Sequence, residues 1–479
     1  MDIKTPDSPH FRAAKLAAKN LQAAGFEAYI IGGAVRDMLL GKTPKDFDLT
    51  TNAKPDEILN IKGFLKSFYK DTAQAYGVTR VYLQIPDEDS AQTHEVELEI
   101  ATYRKDVGAR KGRKATKVKF SSLKEDIKRR DFTINALAFD PITKEVVDEV
   151  NGMNDLKKHL IRFVGKPSKR IREDPLRILR AIRLKHQLAF SFERETSIAI
   201  KQAITRGKLG DIAAERIKTE LSRVLMHPRR KIAFEDLDYL GVLDKLLPEV
   251  AATKGVAQPK ELHAEGDVFT HTMLSIGYLP DIVSPRLAWA TLLHDIGKTP
   301  SYEPAKDTGD RIRFSDHYSL GADMAKTILK RLHFSQRFRE EVAWMIHNHL
   351  SIDTLPKMRP RRADNFMSHP AFGDLIELHK ADAHAAWSIQ SDGSIDDGSA
   401  DFKDIEDMWV KFQAKKALRP PSLKSDLGID GKWLMDKLAV EKGPILGKLL
   451  KELENSYLNH ELHNKEEVLR RAKKLLKRA

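Results

Sequence analysis

No cysteine occurs anywhere in the 479 residues. Disulfides, thiolate metal sites and cysteine nucleophiles are excluded together, and the absence fits a reducing compartment. Long apolar runs are missing too. None nears the ~18 residues that a membrane-spanning helix needs, and LAWATLL at 287–293 reads as a buried helix segment. The start, MDIKTPDSPHF, carries neither the basic region nor the apolar core of a secretory signal. A cytoplasmic chain without a membrane partner is expected. No internal repeat of fixed period stands out, which sets solenoids and propellers aside.

What is present is an ordinary globular mixture, 41% hydrophobic and 32% charged, with a net charge of +13. At about 100–200 residues per domain the length favours two to four domains. The positive charge is clustered. Residues 101–130 hold 12 Lys or Arg against 3 Asp or Glu, 161–185 hold 9 against 2, and 465–479 hold 7 against 2. Such clusters suit a polyanion, either nucleic acid or a phosphate-rich substrate. They also suit solvated helix faces. That plainer account fits the C-terminal run, where Val468, Leu469, Ala472, Leu475 and Leu476 recur at helical spacing.

The first ~145 residues alternate short strands and helices. AYIIGG (28–33) reads as a buried strand ending in two glycines, and AVRDMLLG (34–41) as a helix stopped by Gly41. DFDLTT (46–51), VTRVYLQI (78–85) and EVELEIATY (95–103) alternate with period two, and TINALAFD (133–140) reads as a further strand. GARKGRKATKVK (108–119) is a polar connection. Beyond about residue 150 helical periodicity takes over. Composition breaks at 251–267 and 392–401 suggest linkers. The expected architecture is α+β: a head with a small mixed sheet (1–145), a helical neck and body (146–255), a histidine-rich helical section (256–400) and a helical basic tail (401–479).

Within the head, Asp46 and Asp48 stand at i and i+2 on a predicted strand, so both carboxylates leave one face while Phe47 and Leu49 point inward. Carboxylates so placed suit a pair of Mg²⁺ ions about 3.5–4 Å apart, the arrangement that clamps a phosphoryl displacement. Gly32 and Gly33 lie just upstream, where bare backbone can approach a triphosphate, and Arg36 and Asp37 follow. Glu95, Glu97 and Glu99 share the polar face of a neighbouring strand; Glu99 is the candidate third carboxylate. Alone, a DxD is equally at home on a solvated strand edge. The whole run IGGAVRDMLLGKTPKDFDLTTNAKP is more specific: it resembles the signature of the class II tRNA nucleotidyltransferase and poly(A) polymerase family, within the polymerase-β-type nucleotidyltransferase superfamily.

Further segments follow in that family's order. RRDFTINALAFD (129–140) resembles its second motif, which implies that Arg130, Asp131 and Asn135 serve the nucleotide's sugar and phosphates. REDPLRILRAIR (172–183) resembles its base-recognition motif, with Glu173, Asp174, Arg177 and Arg180 in place, and AAERIKTEL (213–221) the helix whose arginine, here Arg216, supports the pocket. One departure stands out: where the family usually has a Gly-Gly turn, this chain reads VDEVNGMNDL (147–156). The base-recognition motif has a chemistry of its own. On one helix, Asp174 and Arg177 at i and i+3 would share a face. A carboxylate accepts from an exocyclic amine and a guanidinium donates to a ring acceptor, a pairing that fits cytosine and adenine but not uracil and guanine. An ordinary intrahelical ion pair has the same spacing.

In the middle section, His294 and Asp295 are adjacent in LLHDIGK, with His271 upstream and His317, His347, His349 and Asp382 downstream. Imidazoles and carboxylates suit a divalent metal without any cysteine. His347 and His349 differ by about 200° around a helix, so at most one of them faces a shared site. HDIGK in this setting is similar to the HD phosphohydrolase superfamily. That resemblance implies His271, His294, Asp295 and Asp382 as metal ligands, with His317 and His347 as candidates for a second metal. The alternative is a helical scaffold whose histidines only fill a core.

Taken together the resemblances imply an enzyme that adds or repairs the 3′-terminal CCA of tRNA from CTP and ATP, with Mg²⁺ held by Asp46 and Asp48 and a divalent metal of unspecified identity at the histidine section. A poly(A) polymerase or an enzyme adding only A shares the DxD and EDPLR motifs; AYGVTRVYL (75–83) lies closer to the tRNA-specific pattern. A metal-dependent phosphohydrolase with an RNA-binding head is the alternative from another class. Oligomeric state is not legible.

Overall fold

A computed structural model of the chain describes residues 3–65, 77–87, 93–107, 117–307, 310–389, 394–396, 402–417, 422–441, 443–459 and 461–476. These form two compact units, one of residues 1–354 with 369–401, the other of 355–368 with 402–479.

The first unit opens with the expected small mixed sheet. Its strands are β1 (Ala28–Ile31), β2 (Asp48–Thr51), β3 (Val78–Pro86) and β4 (Thr93–Thr102). After a separate antiparallel ribbon of β5 (Arg104–Val107) and β6 (Lys117–Phe120) come β7 (Ala138–Phe139) and β8 (Val146–Val147). The sheet order is β3-β4-β2-β1-β7-β8, with β2 and β4 parallel and the other neighbours antiparallel. Residues 108–116, most of the polar connection, lie outside the described residues.

Helix α1 (Pro9–Ala23) is capped by the Ser8 hydroxyl, which accepts from Phe11 N. It buries Ala13, Ala14, Ala17, Ala18 and Leu21 against the sheet. Small side chains along this stripe let the helix approach the strands closely.

Two sequence expectations need correction here. Asp46 precedes β2 rather than lying on it, although the in-and-out alternation persists, with Phe47 and Leu49 in the core and both aspartates on the opposite side, Asp48 reaching solvent but crowded by the groups around it. TINALAFD is not one strand. It makes a 3₁₀ turn at Thr133–Asn135 and only the two-residue β7, because Thr133 Oγ1 donates to the buried Asp155 at 2.7 Å and pulls the backbone out of line. The missing Gly-Gly turn is also accounted for. Asn151 takes the left-handed conformation (φ 62°), and the Asp148 carboxylate accepts from the backbone N–H of Val150, Gly152 and Met153. Gly152 remains indispensable, since a Cβ there would sit 2.3 Å from Thr133 O.

The helical part runs through α3 (Pro167–Glu173), α4 (Arg177–Leu188), α5 (Ala214–Leu225) and α6 (Arg230–Tyr239), with α2 (Gly33–Leu39) reserved for the head. Then follow α7 (Val268–Tyr278), α8 (Pro285–Leu293), α9 (His317–Arg331), α10 (Gln336–Asn348) and α11 (Phe372–Ala385). Asp267, Ser284 and Ser335 cap α7, α8 and α10, each accepting from a backbone N–H three residues on. Arg230 joins α6 to α7. Fully buried, it donates to Leu225 O, Leu279 O and Pro280 O at 2.9, 2.9 and 3.0 Å, closing the carbonyl end of α7. The second unit is helical around Leu423, Ile429, Leu434, Leu449, Leu453, Val468 and Ala472. The basic C-terminal run therefore has one buried apolar side and one solvated charged side.

Candidate active site

Sheet register gathers the head's acidic groups. Asp48 lies opposite Ile31, so the carboxylate stands at the end of β1 where the chain turns through Gly32 (φ 87°) into α2. The parallel pairing of Leu49 with Ile100 brings Glu99 level with Asp48 from the other side. The Asp48 carboxyl is pushed up to about 6, first by burial, then by the charges of Asp46 and Glu99, with Arg130 opposing. Three mutually repelling carboxylates beside bare backbone are a donor set that hard divalent cations fit. Glu99 itself accepts from Arg80 Nε at 3.0 Å on the strand next to it.

Cationic groups face this acidic set. Arg130 Nη1 lies 3.7 Å from where a Gly32 Cβ would be, so the glycine leaves room for the guanidinium and for a phosphate beside it. Its Nη2 donates to the buried Asp126 at 3.2 Å. On α2, Arg36 pairs with Asp37 and donates to Asn135 Oδ1 at 2.6 Å. Asp131 accepts from Arg180 Nε at 2.7 Å; burial raises its pKa, but the Arg180 charge and hydrogen bond outweigh that and hold it below the usual carboxylate range.

The residues expected to recognise the base come together, though not as one helical face. Pro175 ends α3, and Asp174 before it is extended (φ −150°, ψ 101°) as a residue preceding proline must be. Arg177 then starts α4 and donates to Glu173 Oε2 and to the carbonyls of Arg170 and Arg129, all at 3.1 Å. The Asp174 carboxylate is instead gripped by Arg216 from α5, at 3.0 and 2.7 Å. The i, i+3 pair expected from spacing is replaced by this bidentate pair across elements. PL in EDPLR was the signal for the break.

The middle section builds a second centre. His271 comes from α7, His294 and Asp295 from the end of α8, His317 from the first turn of α9, and Asp382 from α11. His349 follows α10. His271 Nε2 lies 2.8 Å and His294 Nε2 3.1 Å from Asp382 Oδ1. His317 and His349 present Nε2 to Asp295 Oδ1 at 3.7 and 4.0 Å. Within each of two groups, His271–His294–Asp382 and Asp295–His317–His349, the donor atoms lie within 4.8 Å of one another. His347 does not join them. It is exposed against the Tyr318 ring, while His349 is buried. His349 continues the apolar stripe of Val342, Met345 and Ile346, which is the sequence signal that points to it over His347.

Tautomers follow from partners that can only accept. His294, His317 and His349 donate Nδ1–H to the carbonyls of Thr291, Phe314 and Ile346 at 2.8, 2.9 and 2.6 Å, leaving Nε2 facing inward. Burial pushes His349 down to about 4 and His317 below its ordinary value, so both imidazoles are neutral. Burial also pushes His271 down, but hydrogen bonds to Asp382 and Glu265 more than reverse it, to about 9. Asp295 Oδ1 and His317 Nε2 are buried without a hydrogen-bond partner, and Lys298 Nζ stands 2.6 Å from Asp295 Oδ2. Buried imidazole and carboxylate lone pairs converging beside Lys298 fit a divalent cation.

Three family models match successive parts of the chain: the poly A polymerase head domain over residues 28–162, the "Probable RNA and SrmB-binding site of polymerase A" over 189–254, and tRNA nucleotidyltransferase domain 2 over 312–472. The CCA-adding enzyme of Lactobacillus helveticus is 41% identical over 233 residues, which is 48% of this chain and 54% of that protein. That of Latilactobacillus sakei is 30% identical over 477 residues, covering 98% of this chain and 99% of its own length. Among solved structures, the Bacillus stearothermophilus CCA-adding enzyme in complex with CTP has the same fold, with a TM-score of 0.59 and 23% identity over 98% of this chain and 100% of that one. With a relative alike from end to end and the head motifs folded into one acidic site, the chain belongs to the family of CCA-adding enzymes.

Proposed function

We propose that the chain is a tRNA nucleotidyltransferase that adds or repairs the 3′-terminal CCA, consuming CTP and ATP and releasing pyrophosphate. The observation that carries this reading is the meeting of Asp46, Asp48 and Glu99 beside the Gly32–Gly33 turn, with Arg130 on the other side of the same turn. Asp46 and Asp48 are the residues that would hold Mg²⁺; Glu99 adds negative charge behind them. When bound, the cations supply charge neutralisation at the attacked phosphate and at the departing pyrophosphate. Gly32 and Gly33 let the triphosphate approach the backbone, and Arg36, Arg130, Asp131 and Asn135 line the turn that would receive sugar and phosphates. Asp174, fixed by Arg216, is the acceptor for the exocyclic amine of cytosine or adenine. Arg177 spends only some of its five N–H donors on Glu173 and two carbonyls, which leaves donors for a base. Arg180 holds Asp131 in place. No helix among the described residues is long and apolar enough to cross a membrane, and tRNA, CTP and ATP as substrates accord with a cytoplasmic site of action.

The test uses purified protein, Mg²⁺ and a tRNA transcript lacking its CCA end. Two C residues from CTP, followed by one A when ATP is added, are expected from the wild type and not from Asp46→Ala. Long A tails on unrelated RNA would replace this reading by a poly(A) polymerase. Addition of A only to tRNA already ending in CC would mark an A-adding enzyme.

A second reading concerns the middle centre. We infer that His271, His294 and Asp382, with Asp295, His317 and His349 beside them, hold divalent cations and make a phosphoester-cleaving site for damaged RNA 3′ ends. Its support is the Nε2 of four imidazoles facing the buried Asp295 carboxylate, whose Oδ1 has no hydrogen-bond partner. Phosphate release from a 3′-phosphorylated RNA, lost in His294→Ala but retained in Asp46→Ala, is the expected result; equal loss in both variants would overturn it.

A further inference from the structure

We propose that Glu265 is a positioning residue of the histidine–aspartate centre, holding His271 with Nε2 turned inward as a ligand for a divalent cation. The inference rests on the reading of that centre as a cation site; Glu265 is outside the two groups described above, although its donor atoms and those of His263 and His271 also lie within 4.8 Å of one another.

Glu265 lies in the 251–267 segment whose composition suggests a linker, yet its side chain is fully buried. Three donors converge on it. Oε1 accepts from His271 Nδ1 and from His263 Nδ1, each at 2.8 Å, and Oε2 accepts from Trp387 N at 2.9 Å. With three N–H groups aimed at it, the carboxylate accepts from each. His271 therefore places a proton on Nδ1 and directs Nε2 at Asp382 Oδ1, 2.8 Å away.

This makes His271 different from the other three imidazoles. Those are oriented by backbone carbonyls, which are neutral and which no substitution removes. His271 alone is oriented by a charged side chain, and a carboxylate behind an imidazole raises its basicity toward a metal. The same carboxylate also fixes distance. Its bond to Trp387 N, returned by Ala264 N donating to Trp387 O at 2.7 Å, ties the approach to α7 to the residues just beyond Asp382 on α11. Two ligands from separate helices are thus set relative to each other through one residue. Glu265 is not itself placed to be a ligand of the inner group: both its oxygens are already engaged, on the side of His271 away from Asp382.

Outer carboxylates of this kind are worth about 10–100-fold in metal affinity. The experiment is Mn²⁺ titration of the full chain after chelator stripping, with Asp46→Ala present throughout to silence the head. Glu265→Gln keeps shape and an acceptor oxygen but loses the charge, and about a 10-fold weaker Mn²⁺ affinity is expected; Glu265→Ala should lose about 100-fold. Should Glu265→Ala fail to fold, Glu265→Gln carries the measurement. The decisive readout is a double-mutant cycle. If Glu265 acts through His271, Glu265→Gln in a His271→Ala background costs nothing further, whereas a merely structural role gives additive losses. Unchanged affinity in Glu265→Gln and Glu265→Ala, or additivity in the cycle, would overturn the positioning role while leaving the cation site standing. No Mn²⁺ bound to Asp46→Ala, with His294→Ala indistinguishable, would overturn the cation site and this role with it.

Discussion

Gly297, in the HDIGK run, offers a sharp test of how the second centre is built. A Cβ on Gly297 would lie 2.0 Å from His317 O and 2.6 Å from Gly321 N, both backbone atoms of α9. Ordinary contact begins near 3.4 Å, so Gly297→Ala must drive the 3₁₀ turn Ile296–Lys298 and α9 apart by more than an ångström. Neither neighbour is the end of a flexible side chain. Overpacking a well-filled interior typically costs about 1–3 kcal/mol, and the backbone contacts here place the expected cost at the top of that range or above, about 3 kcal/mol. That is roughly a 100-fold change in the folding equilibrium. The displacement would carry His317 away from Asp295, now 3.7 Å from it, and the Asp295–His317–His349 group should lose its cation. Gly321→Ala is the internal control: its Cβ would meet Gly297 N, His294 O and Ile346 Cγ2 at 3.4 Å, ordinary contact, and alanine is favoured over glycine in a helix by about 1 kcal/mol. Thermal unfolding and Mn²⁺ titration of both variants decide the matter. A Gly297→Ala protein as stable and as well loaded as the wild type, or a Gly321→Ala protein equally damaged, would refute the reasoning.

Three further outcomes are expected. His349→Ala should abolish binding of one cation equivalent while His347→Ala leaves binding unchanged, measured by Mn²⁺ titration of the same stripped protein. Arg216→Ala should lower kcat/KM for CTP and ATP at least about 10-fold and narrow the preference over UTP and GTP, because Asp174 loses the pair that fixes it; undiminished selectivity in single-nucleotide incorporation would count against this. Asp236→Asn should cost about 2 kcal/mol near neutral pH, since Asp236 accepts from Lys185 Nζ and His186 Nε2 at 2.7 and 2.9 Å. Burial raises the Asp236 pKa, but those two hydrogen bonds hold it below the ordinary value of 3.8. A lowered carboxylate contributes stability that is present above the unfolded value and lost as pH falls through the folded one. The gap in thermal stability between wild type and Asp236→Asn should therefore close below about pH 4 and stay open above it.

The head was legible because its motifs are local. Period-two alternation exposed Asp46 and Asp48 on the same side, and the two glycines marked the turn, so the acidic site follows from about twenty consecutive residues. What the sequence concealed was anything set by a distant partner. Spacing put Asp174 with Arg177, but Pro175 breaks the helix between them, and the true partner, Arg216, lies some forty residues away on α5. TINALAFD alternates like a strand and folds mostly as a turn, in which the Thr133 hydroxyl donates to Asp155 and its backbone N–H to Arg162 O, both distant in sequence. Among the histidines the four-residue core was visible in HDIGK and its flanks. The angle between His347 and His349 does not decide which of them turns inward; His349 does, because it continues the buried stripe of α10, while His347 is exposed. Glu265 was hidden for a different reason. Low hydrophobicity made 251–267 look like a linker, whereas its polar residues are consumed by hydrogen bonds to buried donors, with Gln258 only 4% exposed and accepting from Lys298 Nζ at 2.8 Å.

Helix α5 explains why a chain with so many buried charges remains satisfied around the nucleotide site. Arg216, Glu220 and Arg223 recur at i, i+4 and i+7, one polar face, while Ile217, Leu221, Val224 and Leu225 form the buried one. Glu220 is only 3% exposed, which would be costly for a lone carboxylate. It is not alone: Arg183 Nε donates to it at 2.6 Å, and Arg223 and Arg180 stand 3.6 and 3.9 Å away. Arg180 in turn holds Asp131, and Arg216 holds Asp174, so signs alternate across the whole cluster and each cation neutralises an anion from a different element. On its other side the same helix accepts a hydrogen bond at Ser222 Oγ from the buried Trp289 of α8, the helix that ends in His294. Asp174, Asp131 and the histidine–aspartate centre are therefore fastened to one helix and its neighbours by short polar contacts on both of its flanks. Truncating Trp289 would remove a buried anchor between them, whereas a charge substitution at an exposed position of α5 such as Glu215 would leave the Arg–Asp–Glu alternation intact.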